Sequence, residues 1–158
     1  MSMRCFLALD KPLSKTIYYY KDILPTISEN DMFYNDKIYF DENLTVAEKV
    51  AIGNIFKDFT VYAIHTGFQL NYDPLFKREL SSRYAKNALD ELKWFKAFAK
   101  KQLIKKDVFM ILNLWLGKEI DYKRIKTECI DINSWELTEE KSFEFSYGKV
   151  YKFIDNSK

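Results

Sequence analysis

The residues of this chain that could carry acid–base, nucleophilic or metal chemistry are few and scattered. His65, in "VYAIHTGF", is the sole histidine, and the two cysteines are Cys5 and Cys129. A zinc site takes three or four His or Cys ligands close together, so neither a metal nor a cofactor is expected. No GxGxxG, GxxxxGK[ST] or GxSxG pattern occurs, and with 4 glycines in all the chain has little material for a phosphate cradle. The acidic stretch 29–48 lacks the glycine of an EF-hand loop.

Two groupings remain as candidates for an enzyme. His65 is a base in search of a serine or cysteine nucleophile. Glu119 and Asp121, two residues apart beside Gly117, stand at the end of an apolar run, a usual position for a site. The adjacent pairs Asp41-Glu42, Asp90-Glu91 and Glu139-Glu140 point in divergent directions on any regular element, so none forms a dyad alone.

The elements that must position these residues can be read from pattern. "MRCFLAL" is a short buried strand, and "KIYF" a brief one. Pro12 and Pro25 bracket a short helix bearing Ile17, Tyr20 and Leu24. "TVAE", Thr45 to Glu48, matches a helix capping box. Ile52, Ile55, Phe56, Phe59, Tyr62 and Ala63 then recur at helical spacing. The reading favoured here is a helix from about Thr45 to Thr66, stopped by Gly67, with His65 in its last turn; a strand over 60–70 is the alternative. A second helix runs from about residue 75 or 82 to Lys105, with Tyr84, Ala88, Leu92, Phe95, Ala99 and Leu103 on one face and lysines crowding its C-terminal end.

Beyond it, "DVFMILNLWLG" reads as a central strand and "KRIKTECIDI" as a more polar one. "KSFEFSYGKVYKFID" reads as a hairpin with Phe145 facing Tyr151, Phe143 facing Phe153 and Glu144 facing Lys152. Asn113 is expected to be a hydrogen-bonded core residue, and both cysteines are expected to be buried reduced thiols. The sum is a single α+β domain over 1–158, with two long helices packed on a mostly antiparallel sheet of four to six strands.

The Cys5–Leu9 apolar run is too short for a signal-peptide core of about 7–15 residues. Val108–Leu116 falls short of the roughly 20 residues of a membrane span. A soluble cytoplasmic protein is expected, with no membrane association. Charge is unevenly spread: six acidic residues against Lys37 alone between Glu29 and Glu48, and eight basic residues between Arg83 and Lys106. Lys86, Lys93 and Lys100 share a face of the second helix, an arrangement that can meet phosphates. The overall pI of about 8.3 lies below the basic range above 9 that marks nucleic-acid binders.

Tyrosine offers a different partner. Tyr18, Tyr19 and Tyr20 are consecutive, so they cannot all point into one core, and Tyr34 and Tyr39 stand in the acidic stretch. An acidic, tyrosine-bearing surface suits a basic protein partner. The expected function is therefore non-catalytic protein binding; its concrete version is an inhibitor or immunity-type protein that neutralises a cognate basic toxin or nuclease. The contacts would be Tyr34, Asp36, Tyr39, Asp41 and Glu42. The alternatives are a small hydrolase or nuclease using His65 or the carboxylates near Gly117, and nucleic-acid binding through the lysine-rich helix 83–106.

Overall fold

A computed structural model describes residues 3–24, 37–65, 70–75 and 82–158, with the side chains of 82–87 excepted. Its centre is β1 (Met3–Leu9), flanked on both sides by antiparallel neighbours, β4 (Thr60–His65) and β6 (Phe109–Trp115). Outward from β4 come β3 (Lys37–Asp41) and the edge strand β2 (Ile17–Tyr19). Outward from β6 come β9 (Lys149–Ile154), antiparallel, and β7 (Lys126–Asp131), which pairs with β9 in parallel. The order of this seven-stranded sheet is thus β2-β3-β4-β1-β6-β9-β7. The fold class is α+β with a mostly antiparallel sheet, broader than the four to six strands expected.

Strand alternation sends successive side chains to two cores. Cys5, Leu7 and Leu9 face one, and Phe6 and Ala8 face the other. That two-sided burial is why β1 and β6 read as nearly unbroken apolar runs.

The first core lies under helix α3 (Ser82–Lys105). Its buried residues include Ala88, Leu92, Phe95, Ala99 and Leu103, as the spacing predicts, but also Leu89, Glu91, Trp94 and Phe98. The stripe is wider because the aromatics fill it in depth: Phe98 stacks between Trp94 (5.2 Å) and Phe40 (5.0 Å), and Phe95 meets Phe109 edge-on at 5.7 Å. Losing one such ring typically costs about 3–5 kcal/mol. Lysines finish the helix: Lys11 and Lys158 donate to the carbonyls of Lys105 and Lys106, satisfying terminal acceptors and complementing the dipole.

The second core is covered by a short helix, α2 (Val46–Ile52), not by a second long one. The capping box is present: Glu48 N donates to Thr45 Oγ1 at 3.1 Å, and Thr45 N donates to Glu48 Oε1 at 2.9 Å. The helix ends at Gly53, whose φ of +53° suits a residue without Cβ. Turns then carry the chain to β4, with i→i−3 hydrogen bonds from Ile55 to Ile52, Lys57 to Asn54 and Phe59 to Phe56. Such turns keep Ile52, Ile55, Phe56 and Phe59 at helix-like spacing, which is why the pattern mimicked a longer helix. The expected helix over 45–66 is therefore replaced by α2 and β4, and Gly67 lies outside the described residues. The remaining helix, α1 (Tyr20–Ile23), is a single turn after β2, so the short helix expected between the prolines is present but shorter, with Ile17 on the strand before it and Leu24 just past its end.

The expected tail hairpin does not form. β8 (Phe143–Glu144) pairs instead with β5 (Asn71–Tyr72) in a separate two-stranded sheet. Asn113 accounts for the divergence. Its Nδ2 donates to the Phe145 carbonyl at 2.9 Å, and its own carbonyl accepts from Gly148 N at 2.8 Å. The Tyr151 hydroxyl accepts from Ser146 N at 2.9 Å. Of the rings expected to face one another, Phe145 and Tyr151 still meet at 5.0 Å, but as core packing and not as ladder partners; Phe143 and Phe153 each pack on Phe145 instead, at 4.9 and 6.1 Å.

Candidate partner-binding surface

β3 presents alternate residues to opposite faces. Ile38 and Phe40 enter the core beneath α3, so Tyr39 and Asp41 fall on the other side of the strand. Ile17, Tyr39 and His65 are in register across β2, β3 and β4. Tyr39 and His65 stack with centroids 5.7 Å apart and planes 17° from parallel. His65 Nε2 stands 3.6 Å from Asp41 Oδ2, with the two side chains 47% and 26% exposed. Asp41 Oδ1 also accepts from Asn43 N at 2.9 Å. Partial burial first, then the charges of Asp41 and Glu42, push the Tyr39 phenol up from its usual range. It is therefore a neutral hydrogen-bonding tip on an aromatic ring.

Of the five expected contact residues, Tyr39 and Asp41 are brought together and Glu42 follows them, exposed, just past the strand. Tyr34 and Asp36 lie outside the described residues. Glu48, counted in the acidic segment, is buried by its capping role and faces Arg4 Nε at 3.7 Å. Ile17 and Tyr19, not expected here, extend the surface along β2, each 39% exposed. The Tyr18-Tyr19-Tyr20 run resolves by alternation: Tyr18 and Tyr20 are buried and Tyr19 faces out.

His65 is not in a last helical turn. It sits on a strand beside a carboxylate, as the base and its orienting partner do in a nucleophilic triad. Its partners are Asp41 and Tyr39; no serine, threonine or cysteine side chain hydrogen-bonds to it among the described residues. Cys5 lies in the other core, where burial and then the Glu91 charge push its thiol far up. Glu91 accepts from the Tyr20 hydroxyl at 2.8 Å. Cys129 is exposed on β7, contrary to expectation, because β7 is an edge strand whose first four residues are all solvated. Among the described residues, no three of His, Cys, Asp and Glu stand together as a metal set.

The other candidate residues occupy different ground. Glu119 and Asp121 line an open cleft of about 340 Å³ at the end of β6, walled by Trp115 and Tyr147 and floored by Leu114, Ile120 and Ile125. Asp121 is committed to structure: it caps the 3₁₀ turn Tyr122–Arg124 by accepting from Lys123 N, and it pairs with Arg124. The two aromatic walls are 32 residues apart in sequence, with nothing local to connect them. On α3, Lys96, which the spacing places close to the row of Lys86, Lys93 and Lys100, is half-buried and donates to the Trp135 carbonyl. No helix among the described residues is long and apolar enough to cross a membrane.

No protein-family model, curated protein or solved structure matches this chain.

Proposed function

We propose that this chain is a non-catalytic protein-binding protein whose contact face is the outer side of β2, β3 and β4. Tyr39, Asp41 and Glu42 are its central contacts; Tyr34 and Asp36, outside the described residues, are further contacts proposed from the sequence alone. The partner is a basic protein, and the concrete version is a cytoplasmic inhibitor or immunity-type protein that neutralises a toxin or nuclease. One observation carries the reading: a stacked Tyr39–His65 pair and the Asp41 carboxylate share a half-exposed face, with the exposed Glu42 next in the chain. Tyrosine supplies contact area at small entropic cost, and the carboxylates steer a cationic surface toward it.

The test is affinity isolation of the partner from the source organism, followed by charge reversal. Asp41→Lys with Glu42→Lys should weaken binding by at least tenfold, with most of the loss in association rate at low salt. Unchanged affinity and unchanged salt dependence would sink the proposal. A second reading, hydrolysis using His65 with Asp41 as its orienting partner, rests on their 3.6 Å approach. It predicts activity on a generic ester or nucleic-acid substrate that His65→Ala abolishes without lowering the melting temperature.

A further inference from the structure

We propose that the cleft at the end of β6 is a receptor for an organic ammonium group, and that the Lys118 side chain is its resident occupant. This site is separate from the acidic face and shares no lining residue with it.

Trp115 and Tyr147 form the receptor's corner, with centroids 5.1 Å apart and planes inclined by 40°. Aromatic faces carry partial negative charge and attract cations. Lys118 already demonstrates this chemistry, with Nζ 5.6 Å from the Trp115 centroid. The cleft volume of about 340 Å³ lies at the lower end of the range for small-molecule sites, about 300–1,000 Å³, enough for a compact head group.

The rim charges choose the sign of the ligand. Asp121 and Arg124 neutralise one another, Nε to Oδ2 at 3.3 Å. Glu119 is exposed and has no ion-pair partner among the described residues. When Lys118 swings into water, the lining holds Glu119 and Asp121 against Arg124 alone, one net negative charge. An entering ammonium then replaces Lys118 on Trp115 and gains Glu119. An anion would meet the repulsion of Glu119 and would have to compete with Asp121 for Arg124.

The experiment reads tryptophan fluorescence. Of the 3 tryptophans, Trp94 and Trp135 are buried and Trp115 is half-buried, so an added ligand reaches Trp115. Choline, titrated at constant ionic strength, should change the emission saturably, while its uncharged isostere 3,3-dimethylbutanol should not. Lys118→Ala should tighten choline by about two- to five-fold, the worth of one exposed cation–π contact, and Glu119→Gln should weaken it. Trp115→Leu, checked for an unchanged melting temperature, should abolish the heat of binding in calorimetry. A trimethyllysine peptide run in parallel distinguishes a free ammonium compound from one carried on a polypeptide, according to which binds more tightly. Equal response to the uncharged isostere, indifference to Lys118→Ala, or preference for adenosine monophosphate over choline would each overturn the proposal.

Discussion

The ring of Tyr122 lies against Gly53 so closely that a Cβ on residue 53 would stand 3.1 Å from its hydroxyl oxygen and 3.2 Å from Cζ. The same hydroxyl is 3.0 Å from both the Val50 and Ala51 carbonyls, acceptors left open by the end of α2. Helix stop, positive φ and an aromatic clamp thus coincide at one position.

Gly53→Ala should therefore cost more than a backbone substitution alone, because the new methyl is strained by φ and displaces the ring. A loss of about 2–3 kcal/mol is expected by urea denaturation. Tyr122→Phe should lose about 1 kcal/mol by removing the hydroxyl. In the double variant the losses should fall short of additive, since the ring that collides with the methyl is then no longer tied down. Strict additivity would mean that the two residues do not act on one another.

Asp10 sets an acid limb to stability. Burial works to raise its carboxyl, but N–H groups of Asp107 and Val108, at 3.2 and 3.1 Å, and the Lys11 charge outweigh burial and hold it below the ordinary value. A depressed carboxyl stabilises the fold above its unfolded value of about 3.9, and that contribution is lost as pH falls through the folded value. The stability difference between wild type and Asp10→Asn should be constant above about pH 5 and shrink below about pH 4. Urea titrations at a series of pH values will check this; a difference that does not shrink as the pH falls below about 4 contradicts it.

The two cysteines should differ sharply in reactivity. Thiolate is the reacting species, and Cys5 is held as thiol by burial and by Glu91, whereas Cys129 is exposed. A disulfide reagent should modify Cys129 quickly in the native protein and Cys5 only after denaturation. Cys129→Ser should remove the fast phase entirely.

Tyr20 and Glu91 join β2's extension to α3 inside the core. Glu91 is 0% exposed and accepts from Tyr20 at 2.8 Å, so Tyr20→Phe withdraws a donor from a buried carboxyl group. A loss of about 1–3 kcal/mol is expected, with the helical circular-dichroism signal retained. A neutral substitution would place the weight of this contact elsewhere.

Legibility in the sequence followed the range over which each feature is determined. β1, β6 and the core stripe of α3 are continuous patterns whose causes lie within each segment. The shared face of Tyr39 and Asp41 follows from alternation once "KIYF" is read as a strand. The end of α2 is masked in the sequence because Ile52, Ile55, Phe56 and Phe59 keep helical spacing through turns with i→i−3 bonds, and a lone Gly53 is a weak stop signal against that pattern. The tail imitates a hairpin because complementary rings can meet without a ladder, as Phe145 and Tyr151 do. The Trp115–Tyr147 corner had no sequence signal at all, since Asn113 brings the two together from distant segments.

The position of β9 bears on how the chain matures during synthesis. β6 lies between β1 and β9, and β9 is translated after every other strand of the sheet. Until residues 149–154 leave the ribosome, β6 has an unpaired apolar edge of the kind that recruits foreign strands. Nascent chains stalled before residue 149 should therefore be chaperone clients, and completion of the fold awaits the release of β9.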